Sequence, residues 1–408
     1  MEKTEFGAMI IAAGDFKALW PILDKPAIGY LLKTILECGL NGVSVVLEQE
    51  DASLREYLKA FPSVTQITHS SPKYNEWRER FLNMLIIEGV MPFLRAETVR
   101  AFMRGHIDSG ADCSFLGNKP HALAVASTKL AERGGDSLDL SDLASSLTTA
   151  RLKTQTVALD DREAPLILNR TDLAGAAVRM RDAIILQWME KNVTVMDPHA
   201  VWIGPDVKLE SGVSLMPGAQ IWGNSFIGEG CIIGPYCILR NAVLGREVNL
   251  ISNVIVEDSQ FGDYAKAGPF AYIRENSVLK ERSFAGKFVE IKKTTVGIGS
   301  KVPHLSYMGD AFLGEDVNIG AGSVTCNYDG ANKHQTKIGN RCFVGSDTMM
   351  VAPVTLGDDS VTAAGSTITT DVPPGALAVG RARQKNLEGW ALKNKKQAEK
   401  QQKVTLEG

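Results

Sequence analysis

Residues 226–240 read FIGEGCIIGPYCILR and carry aliphatic residues six positions apart, at Ile227, Ile233 and Leu239. The same step of six continues toward the N-terminus at Ile203, Leu209, Leu215 and Ile221. A second column starts one residue earlier and comprises Ile232, Ile238, Leu244, Leu250 and Val256, and a late run comprises Ile338, Val344, Met350 and Leu356. A period of six fits neither an α-helix nor a coiled coil nor the alternation of a single strand.

Glycine often follows the aliphatic residue of this repeat, at Gly204, Gly228, Gly234, Gly245, Gly262, Gly297, Gly314, Gly320, Gly339, Gly345 and Gly357. Six residues suffice for one short strand and one turn, and three such segments form a triangular coil that stacks on the next coil. We expect the aliphatic residue to point inward and the Gly or Asn near each corner to adopt the backbone angles of the turn. The repeat therefore predicts a parallel β-helix from about Val201 to Arg381.

The period of six is interrupted at two places. The phase shifts between Val278 and Val296, and the stretch SVTCNYDGANKHQTK breaks the period between Gly322 and Ile338. Insertions in a solenoid form surface loops, which often lie on its binding face. We therefore expect ligands to bind near these two interruptions.

The N-terminal half alternates apolar strands with an amphipathic helix. Residues 7–13, Val43–Leu47 and Met84–Ile87 are short apolar runs typical of buried strands. Apolar residues recur at helical spacing between the first two runs, at Ile28, Leu31, Leu32, Ile35 and Leu36. This order predicts a small, mostly parallel, Rossmann-like α/β sheet. The predicted division is residues 1–170 for this domain, 171–195 for a linker helix, 196–382 for the β-helix and 383–408 for a basic tail.

Composition excludes several classes of protein. The net charge of −3 gives no indication of nucleic-acid binding. No apolar run reaches the roughly 18 residues needed to span a bilayer, and the N-terminus lacks a signal-peptide pattern. The six cysteines form no C-x-x-C pair and have no histidine at metal-ligand spacing. We therefore expect a cytoplasmic protein with reduced thiols and no metal site.

His304 is a candidate general base. It opens the run His-Leu-Ser-Tyr-Met-Gly-Asp-Ala, just after a phase break. Acylation of a sugar amine requires the neutral amine, whose pKa is about 8, and a base with a pKa near 7 is suited to remove its proton. Arg274 and Lys292 are cations suited to a phosphate monoester. Lys293 is interpreted as ordinary surface charge.

The stretch from Gly268 to Trp390 resembles a known bacterial enzyme family. The matching motifs are GPFA at 268, FVE at 288, HLSYMGDA at 304, VNIGAG at 317, TCNYDGANK at 325, FVGSDT at 343, VAPVT at 351 and EGW at 388. They resemble the acetyltransferase domain of the bifunctional N-acetylglucosamine-1-phosphate uridyltransferase/glucosamine-1-phosphate N-acetyltransferase family, which acts in UDP-N-acetylglucosamine synthesis. The resemblance implies a left-handed β-helix, preceded by a truncated nucleotidyltransferase-like domain.

The resemblance also implies residue roles. His304 corresponds to the catalytic base. The residues that correspond to sugar-phosphate contacts are Arg274, Lys292, Tyr307, Asn318 and Lys333. The residues that correspond to contacts with the co-substrate acetyl-CoA are Ala321, Asn327, Tyr328, Ser346, Ala364 and Arg381. Family members attack the thioester directly, without an acyl-enzyme at a residue such as Cys326, and form homotrimers whose active sites lie between subunits.

The N-terminal half departs from the family pattern at its nucleotide and metal sites. Ala12-Ala13-Gly14 is followed by Asp15-Phe16-Lys17, where the family has Gly-Thr-Arg-Met. The family's magnesium-binding Asp and Asn are replaced by Val90 and Leu168. Because aliphatic side chains supply no oxygen ligand for a hard cation, we predict that uridyl transfer is lost and that magnesium is not required.

Other interpretations remain open. A γ-class carbonic anhydrase on the same scaffold would need three converging histidines, and His304 and His334 alone do not supply them. A non-catalytic sensor of sugar nucleotide or acetyl-CoA is a second alternative, and galactosamine-1-phosphate is an alternative acceptor. The basic tail is either a solvated helix or lies near a phosphate-bearing cofactor; its lysines are Lys385, Lys393, Lys395, Lys396, Lys400 and Lys403.

Overall fold

The computed structural model describes residues 4–11, 17–40, 42–47, 50–68, 79–117, 123–127, 152–163 and 169–395, and the single positions 70, 71, 73, 76, 77 and 167. The chain forms two compact units, residues 1–209 with 220–225, and residues 210–219 with 226–408. The predicted fold class, an α/β domain followed by a parallel β-helix, is confirmed. The finer division at residues 170, 195 and 382 stays a prediction.

The first unit is built on a seven-stranded sheet. In chain order its elements are β1 (Thr4–Ile11), β2 (Pro21–Ile22), β3 (Lys25–Pro26), α1 (Ala27–Glu37), β4 (Val43–Leu47), α2 (Ala52–Leu58), β5 (Val64–Thr68), β6 (Phe81–Glu88), α3 (Ala96–Ser109), β7 (Cys113–Leu116), β8 (Leu123–Ser127), β9 (Thr154–Val157) and α4 (Arg170–Met189). The order across the sheet is β5-β4-β1-β6-β8-β7-β9. β8 runs antiparallel to both of its neighbours, and the other strand pairs are parallel.

The amphipathic pattern of α1 is confirmed, because Ile28, Leu31, Leu32 and Ile35 are fully buried against the sheet. Burying each such side chain stabilises the fold by about 1.5–3 kcal/mol. Helix α4 begins with a capping box in which Asn169 and Asp172 each bond the other's backbone N–H. Within the described part of the chain, no helix combines the length and apolarity needed to cross a membrane.

The second unit contains three faces of short parallel strands. The first face consists of Ser214–Leu215, Ile232–Ile233, Asn249–Leu250, Lys266–Ala267, Phe284–Lys287, Lys301–His304, Asn318–Ile319, Phe343–Val344, Val361–Thr362 and Leu377–Ala378. The second face consists of Ile238–Arg240, Ile255–Glu257, Tyr272–Arg274, Glu290–Lys292, Tyr307–Gly309, Val324–Cys326, Met349–Val351 and Thr367–Ile368. The third face consists of Phe226–Ile227, Val243–Leu244, Gln260–Phe261, Val278–Leu279, Thr295–Val296, Ala311–Leu313, Thr336–Ile338 and Val354–Leu356. The first unit also holds the short strands Thr194–Val195, Trp202–Ile203, Lys208–Leu209 and Gln220–Trp222.

Each coil has one inward residue on each of its three faces, and along the chain these residues form a single series. The interpretation of two parallel aliphatic columns was therefore wrong. Ile233, Leu239 and Leu244 are all fully buried, whereas Ile232 is 42% exposed. The step from Leu239 to Leu244 is therefore five residues, because the corner between the second and third faces is one residue shorter there. The same short corner recurs from Val256 to Phe261, from Ile291 to Val296 and from Met308 to Leu313.

The glycines that directly follow the aliphatic residues serve close packing, and the expected turn conformation is adopted by other Gly and Asn residues. Gly234 and Gly297 are not among the residues with positive φ. A Cβ on Gly234 would collide with the carbonyl group of Ile251, and one on Gly297 with that of Gly314, each in the next coil. The turns use other residues, such as Asn253, at a φ of 51°. Glycine is needed at these positions because successive coils approach each other too closely for a side chain.

Candidate functional site

His304 lies on the edge of the β-helix where the first face meets the second. In successive coils, Val302, Ile319, Val344 and Thr362 are the buried residues of the first face. His304, Ala321, Ser346 and Ala364 each come two residues later, so they line one edge, which we call the first edge. The edge stays in register through backbone bonds between coils, such as Asp347 N to Ala321 O and Gly365 N to Ser346 O.

The His304 side chain is exposed and does not enter the apolar interior. Its backbone is fixed, because its carbonyl accepts the Ser306 hydroxyl at 2.7 Å. The predicted cofactor contact Arg381 also lies at this edge, with its Cδ 3.7 Å from the position that a Cβ on Gly365 would take. The predicted base therefore lies on the first edge together with four of the six predicted acetyl-CoA contacts, Ala321, Ser346, Ala364 and Arg381.

Arg274 and Lys292 lie on the opposite edge, where the second face meets the third, which we call the second edge. They are cross-strand partners in neighbouring coils. The Lys292 side chain is only 6% exposed, and its Nζ lies 3.4 Å from Glu275 Oε2 and 3.5 Å from Asp310 Oδ2. Arg274 donates two hydrogen bonds to Glu290 Oε1, at 2.9 and 2.7 Å. Both cations are thus held in place by carboxylates.

Residues 327–335 form a loop at the second edge, as the broken period predicts. The loop is closed by a bridge between Tyr328 and Lys333, and Asp329 accepts bonds from the Asn332 N–H and the His334 ring. At its start, the Asn327 side chain donates to Asp310 Oδ2 at 2.6 Å and lies 3.5 Å from the Tyr307 hydroxyl. Asn327 and Tyr328 therefore lie with the predicted sugar-phosphate contacts and not with Ser346.

The amines of Lys292 and Lys333 are close enough to influence each other. The Lys333 amine, which accepts a hydrogen bond from Lys292 only in its neutral form, and the carboxylates of Asp310 and Glu275 raise the pKa of Lys292 against the opposing effect of burial. The same hydrogen bond and the positive charge of Lys292 lower the pKa of Lys333. Two amines held this close favour an anion between them, since an anion offsets their mutual repulsion.

Cys326 lies close to this loop, but its environment does not favour a nucleophilic thiol. Burial raises the pKa of the Cys326 thiol, which disfavours the thiolate form. The thiolate is the nucleophilic form of cysteine. This agrees with the prediction that no acyl-enzyme forms.

One chain does not bring all the predicted residues together. His304 and Lys292 lie at opposite edges of the second face, separated by the width of strands such as Tyr307–Gly309. Asn318 lies on the first face, paired with Lys301 and Phe343, away from the second edge. A site that combines residues of neighbouring chains stays a prediction.

Sequence reasoning did not single out the acidic partners of these cations, Glu275, Glu290 and Asp310. Asp310 is contained in the run that begins at His304, so its presence was visible. A signal was available in principle, since a buried lysine is retained only with a charged partner. Which carboxylate supplies that partner depends on the stacking of coils.

The altered positions of the N-terminal half are only partly described. Val90 and Met91 are buried apolar residues after β6. Residues 12–16 and Leu168 lie outside the described residues. Among the residues that the structure does describe, no three His, Cys, Asp or Glu side chains are grouped so as to hold a metal ion.

Comparison with known proteins extends this description. Residues 335–370 match the family described as the hexapeptide repeat of succinyl-transferase. The chain is 46% identical over 239 residues to the bifunctional protein GlmU of Streptomyces avermitilis, an alignment that covers 59% of this chain and 49% of that protein. The chain thus spans about half the length of that relative.

Other relatives match along almost the whole chain. The bifunctional protein GlmU of Exiguobacterium sibiricum is 32% identical over 443 residues, covering 92% of this chain and 98% of that protein. Among solved structures, 4-diphosphocytidyl-2C-methyl-D-erythritol synthase from Anaerococcus prevotii matches 43% of this chain and 98% of its own, with 12% identity and a TM-score of 0.37. That structural similarity is too low to support any argument.

The lowered pKa of Lys333 predicts a pH dependence of anion binding at the second edge. As pH rises, Lys333 loses its charge at a lower pH than an ordinary lysine, whose pKa is about 10.4, so affinity should fall on the alkaline side. Arginine stays charged, so Lys333→Arg should keep its affinity over the same range. Titration calorimetry with inorganic phosphate from about pH 7 to about pH 10 measures both. Identical pH profiles for the two proteins would contradict the prediction.

Proposed function

Because the chain belongs to the family of bifunctional GlmU proteins, we propose that it transfers the acetyl group of acetyl-CoA to the amine of glucosamine-1-phosphate. The products are N-acetylglucosamine-1-phosphate and CoA, and the reaction serves UDP-N-acetylglucosamine synthesis. The observation that carries the proposal is the exposed His304 on an edge shared with Ala321, Ser346 and Ala364. An imidazole on the first edge, beside the predicted acetyl-CoA contacts, is suited to a reaction in which one proton is removed from an amine.

His304 acts as the general base. The amine nitrogen attacks the thioester carbonyl, and His304 takes the proton that the nitrogen loses. The C–N bond forms, the C–S bond breaks, and the imidazolium returns the proton to the leaving CoA thiolate. A base of this kind contributes about 10²- to 10⁴-fold to the rate. No residue of the chain becomes acetylated.

The second edge binds the phosphate of the acceptor. Lys292 and Lys333 supply two adjacent amines, and Arg274 and Tyr307 extend the polar surface around them. Phosphate competes with Glu275 and Glu290 for these cations. A phosphate dianion bound there relieves the repulsion between the two lysines, so binding is selective for an anionic sugar.

The complete site forms between chains of a homotrimer, in which the first edge of one protomer faces the second edge of its neighbour. Two observations support this arrangement. His304 and Lys292 lie at opposite edges of the same face, and Phe270, Phe288 and Leu305 form an exposed apolar ridge along the first edge. The rings of Phe270 and Phe288 stack at 5.1 Å. Exposed apolar patches of this kind mark protein–protein contacts.

The N-terminal half has lost uridyl transfer and acts as a folded appendage of the acetyltransferase. Nucleotidyl transfer requires oxygen ligands for magnesium, and the family's Asp and Asn ligands are replaced in this sequence by Val90, whose side chain is buried, and Leu168. The apolar core around β1, β4 and β6 is intact. A domain can keep its fold without its site, because packing and ligand binding depend on different residues.

His304→Ala should lower the rate of acetyl transfer by about 10²- to 10⁴-fold, since the amine then loses its proton acceptor. The assay follows release of the CoA thiol with acetyl-CoA and glucosamine-1-phosphate, and galactosamine-1-phosphate serves as the alternative acceptor. His199→Ala is the control, because His199 is also exposed but belongs to the first unit. Unchanged thiol release from His304→Ala would refute the assigned base, and no release from the unsubstituted protein with either acceptor would refute the activity.

A mixture of variants tests whether the site is shared between chains. His304→Ala and Lys292→Met are each expected to be nearly inactive alone. After the two are unfolded together and reassembled, mixed trimers contain some sites with an intact first edge and an intact second edge. Thiol release should therefore recover to a measurable fraction of the normal rate. Failure to recover, with trimers present by light scattering, would place both residues in a site within one chain.

The loss of uridyl transfer is tested by pyrophosphate release. Incubation with UTP, N-acetylglucosamine-1-phosphate and magnesium should give no pyrophosphate above the rate without protein, because the magnesium ligands are absent. The same preparation must release thiol in the acetyl-transfer assay, which shows that it is folded. Sustained pyrophosphate release that requires magnesium would overturn the assignment.

A further inference from the structure

Asp310 is a largely buried carboxylate at the second edge, with a side chain that is 10% exposed. It lies at the short corner between strands Tyr307–Gly309 and Ala311–Leu313. Its backbone is held on both sides, because its N–H donates to the Lys292 carbonyl at 3.0 Å and its carbonyl accepts the Thr336 N–H at 3.2 Å. The side chain therefore projects from a fixed position.

The carboxylate of Asp310 contacts groups from two separate segments. Its Oδ2 accepts the Asn327 amide at 2.6 Å and lies 3.5 Å from Lys292 Nζ, and its Oδ1 lies 3.8 Å from Lys293 Nζ. Lys292 ends the strand Glu290–Lys292, and Asn327 begins the 327–335 loop that carries Lys333. One side chain thus ties together the two segments that supply the paired amines.

We propose that Asp310 is a positioning residue, which holds the Lys292 ammonium and the 327–335 loop in the arrangement that receives the acceptor's phosphate. The proposal rests on the proposed function. A lysine side chain has four rotatable bonds, and a charge-assisted bond to a fixed carboxylate restricts them before the substrate arrives. Affinity for the phosphate then benefits, because less conformational freedom is lost on binding.

Glu275 provides a matched comparison. Its Oε2 lies 3.4 Å from the same Lys292 Nζ, but its side chain is 47% exposed. Exposed ion pairs are weak because water and salt screen them. Both residues also have left-handed backbone, with φ of 53° at Glu275 and 49° at Asp310. Glu275→Gln and Asp310→Asn therefore each remove one charge at nearly the same distance from Lys292, on a similar backbone.

The test compares these two variants. Asparagine has nearly the size of aspartate and tolerates left-handed backbone, so Asp310→Asn changes mainly the charge. The Kd and the KM for glucosamine-1-phosphate should rise about tenfold in Asp310→Asn, the size of effect expected for a hydrogen bond between charged groups. The KM for acetyl-CoA should change by less than about twofold in either variant, and the Kd and KM for glucosamine-1-phosphate should rise less in Glu275→Gln than in Asp310→Asn, because the exposed pair is screened by water and salt. Titration calorimetry remains informative if folding is impaired, because an unfolded fraction lowers the number of sites and not the affinity.

A second background shows whether Asp310 acts through Lys292. In Lys292→Met, the further change Asp310→Asn should cause little additional loss of acceptor affinity, since the group to be positioned is gone. A full additional loss would contradict the proposal.

The remaining outcomes separate this proposal from the proposed function. Unchanged or tighter acceptor binding in Asp310→Asn, or equal weakening in Glu275→Gln, would overturn the role of Asp310 alone. If the unsubstituted protein neither binds nor acetylates glucosamine-1-phosphate, the proposed function fails and the role of Asp310 fails with it.

Discussion

The close stacking of successive coils is the constraint on which the rest of the second unit depends. Each short strand bonds to the equivalent strand of the next coil, and parallel neighbours in such a ladder lie about 4.8 Å apart. That spacing leaves room for an aliphatic residue inside and for no side chain at Gly234 or Gly297, where the next coil's backbone is in contact. The repeated pair of an aliphatic residue and a glycine is therefore required by the close packing of successive coils.

The same stacking determines where chemistry can occur. Residues inside the coil must be apolar or satisfied, so functional side chains are confined to the edges, where the chain turns. Because the coils are in register, equivalent positions form straight columns, and His304, Ala321, Ser346 and Ala364 become neighbours although they span sixty residues of sequence. Residues that recur once per coil in the sequence are thus aligned along one edge of the β-helix. An extended cofactor can lie along such an edge.

The second edge follows a different rule, because its cations are partly buried. Lys292 is buried near the corner and needs negative partners to remain charged there. Asp310 and Glu275 supply that charge, Glu290 pairs with Arg274, and the 327–335 loop brings Lys333 against Lys292. In the N-terminal half, by contrast, Val90 is itself part of a buried apolar core.

The sequence by itself determined the fold class of both halves, because the hydrophobic periodicity of each segment can be recognised without knowing its tertiary contacts. It also allowed the 327–335 loop to be recognised as an insertion. Only the tertiary structure decided that the two aliphatic columns are a single series of inward residues. A corner that is one residue shorter changes the step from six residues to five, while the residue after the corner still points inward. It likewise decided which carboxylate partners each cation and that His304 and Lys292 occupy opposite edges. These facts depend on contacts between residues 16 to 18 positions apart, as in the pairs Arg274–Glu290, Lys292–Asp310 and Lys292–Glu275, and no spacing within a single repeat encodes them.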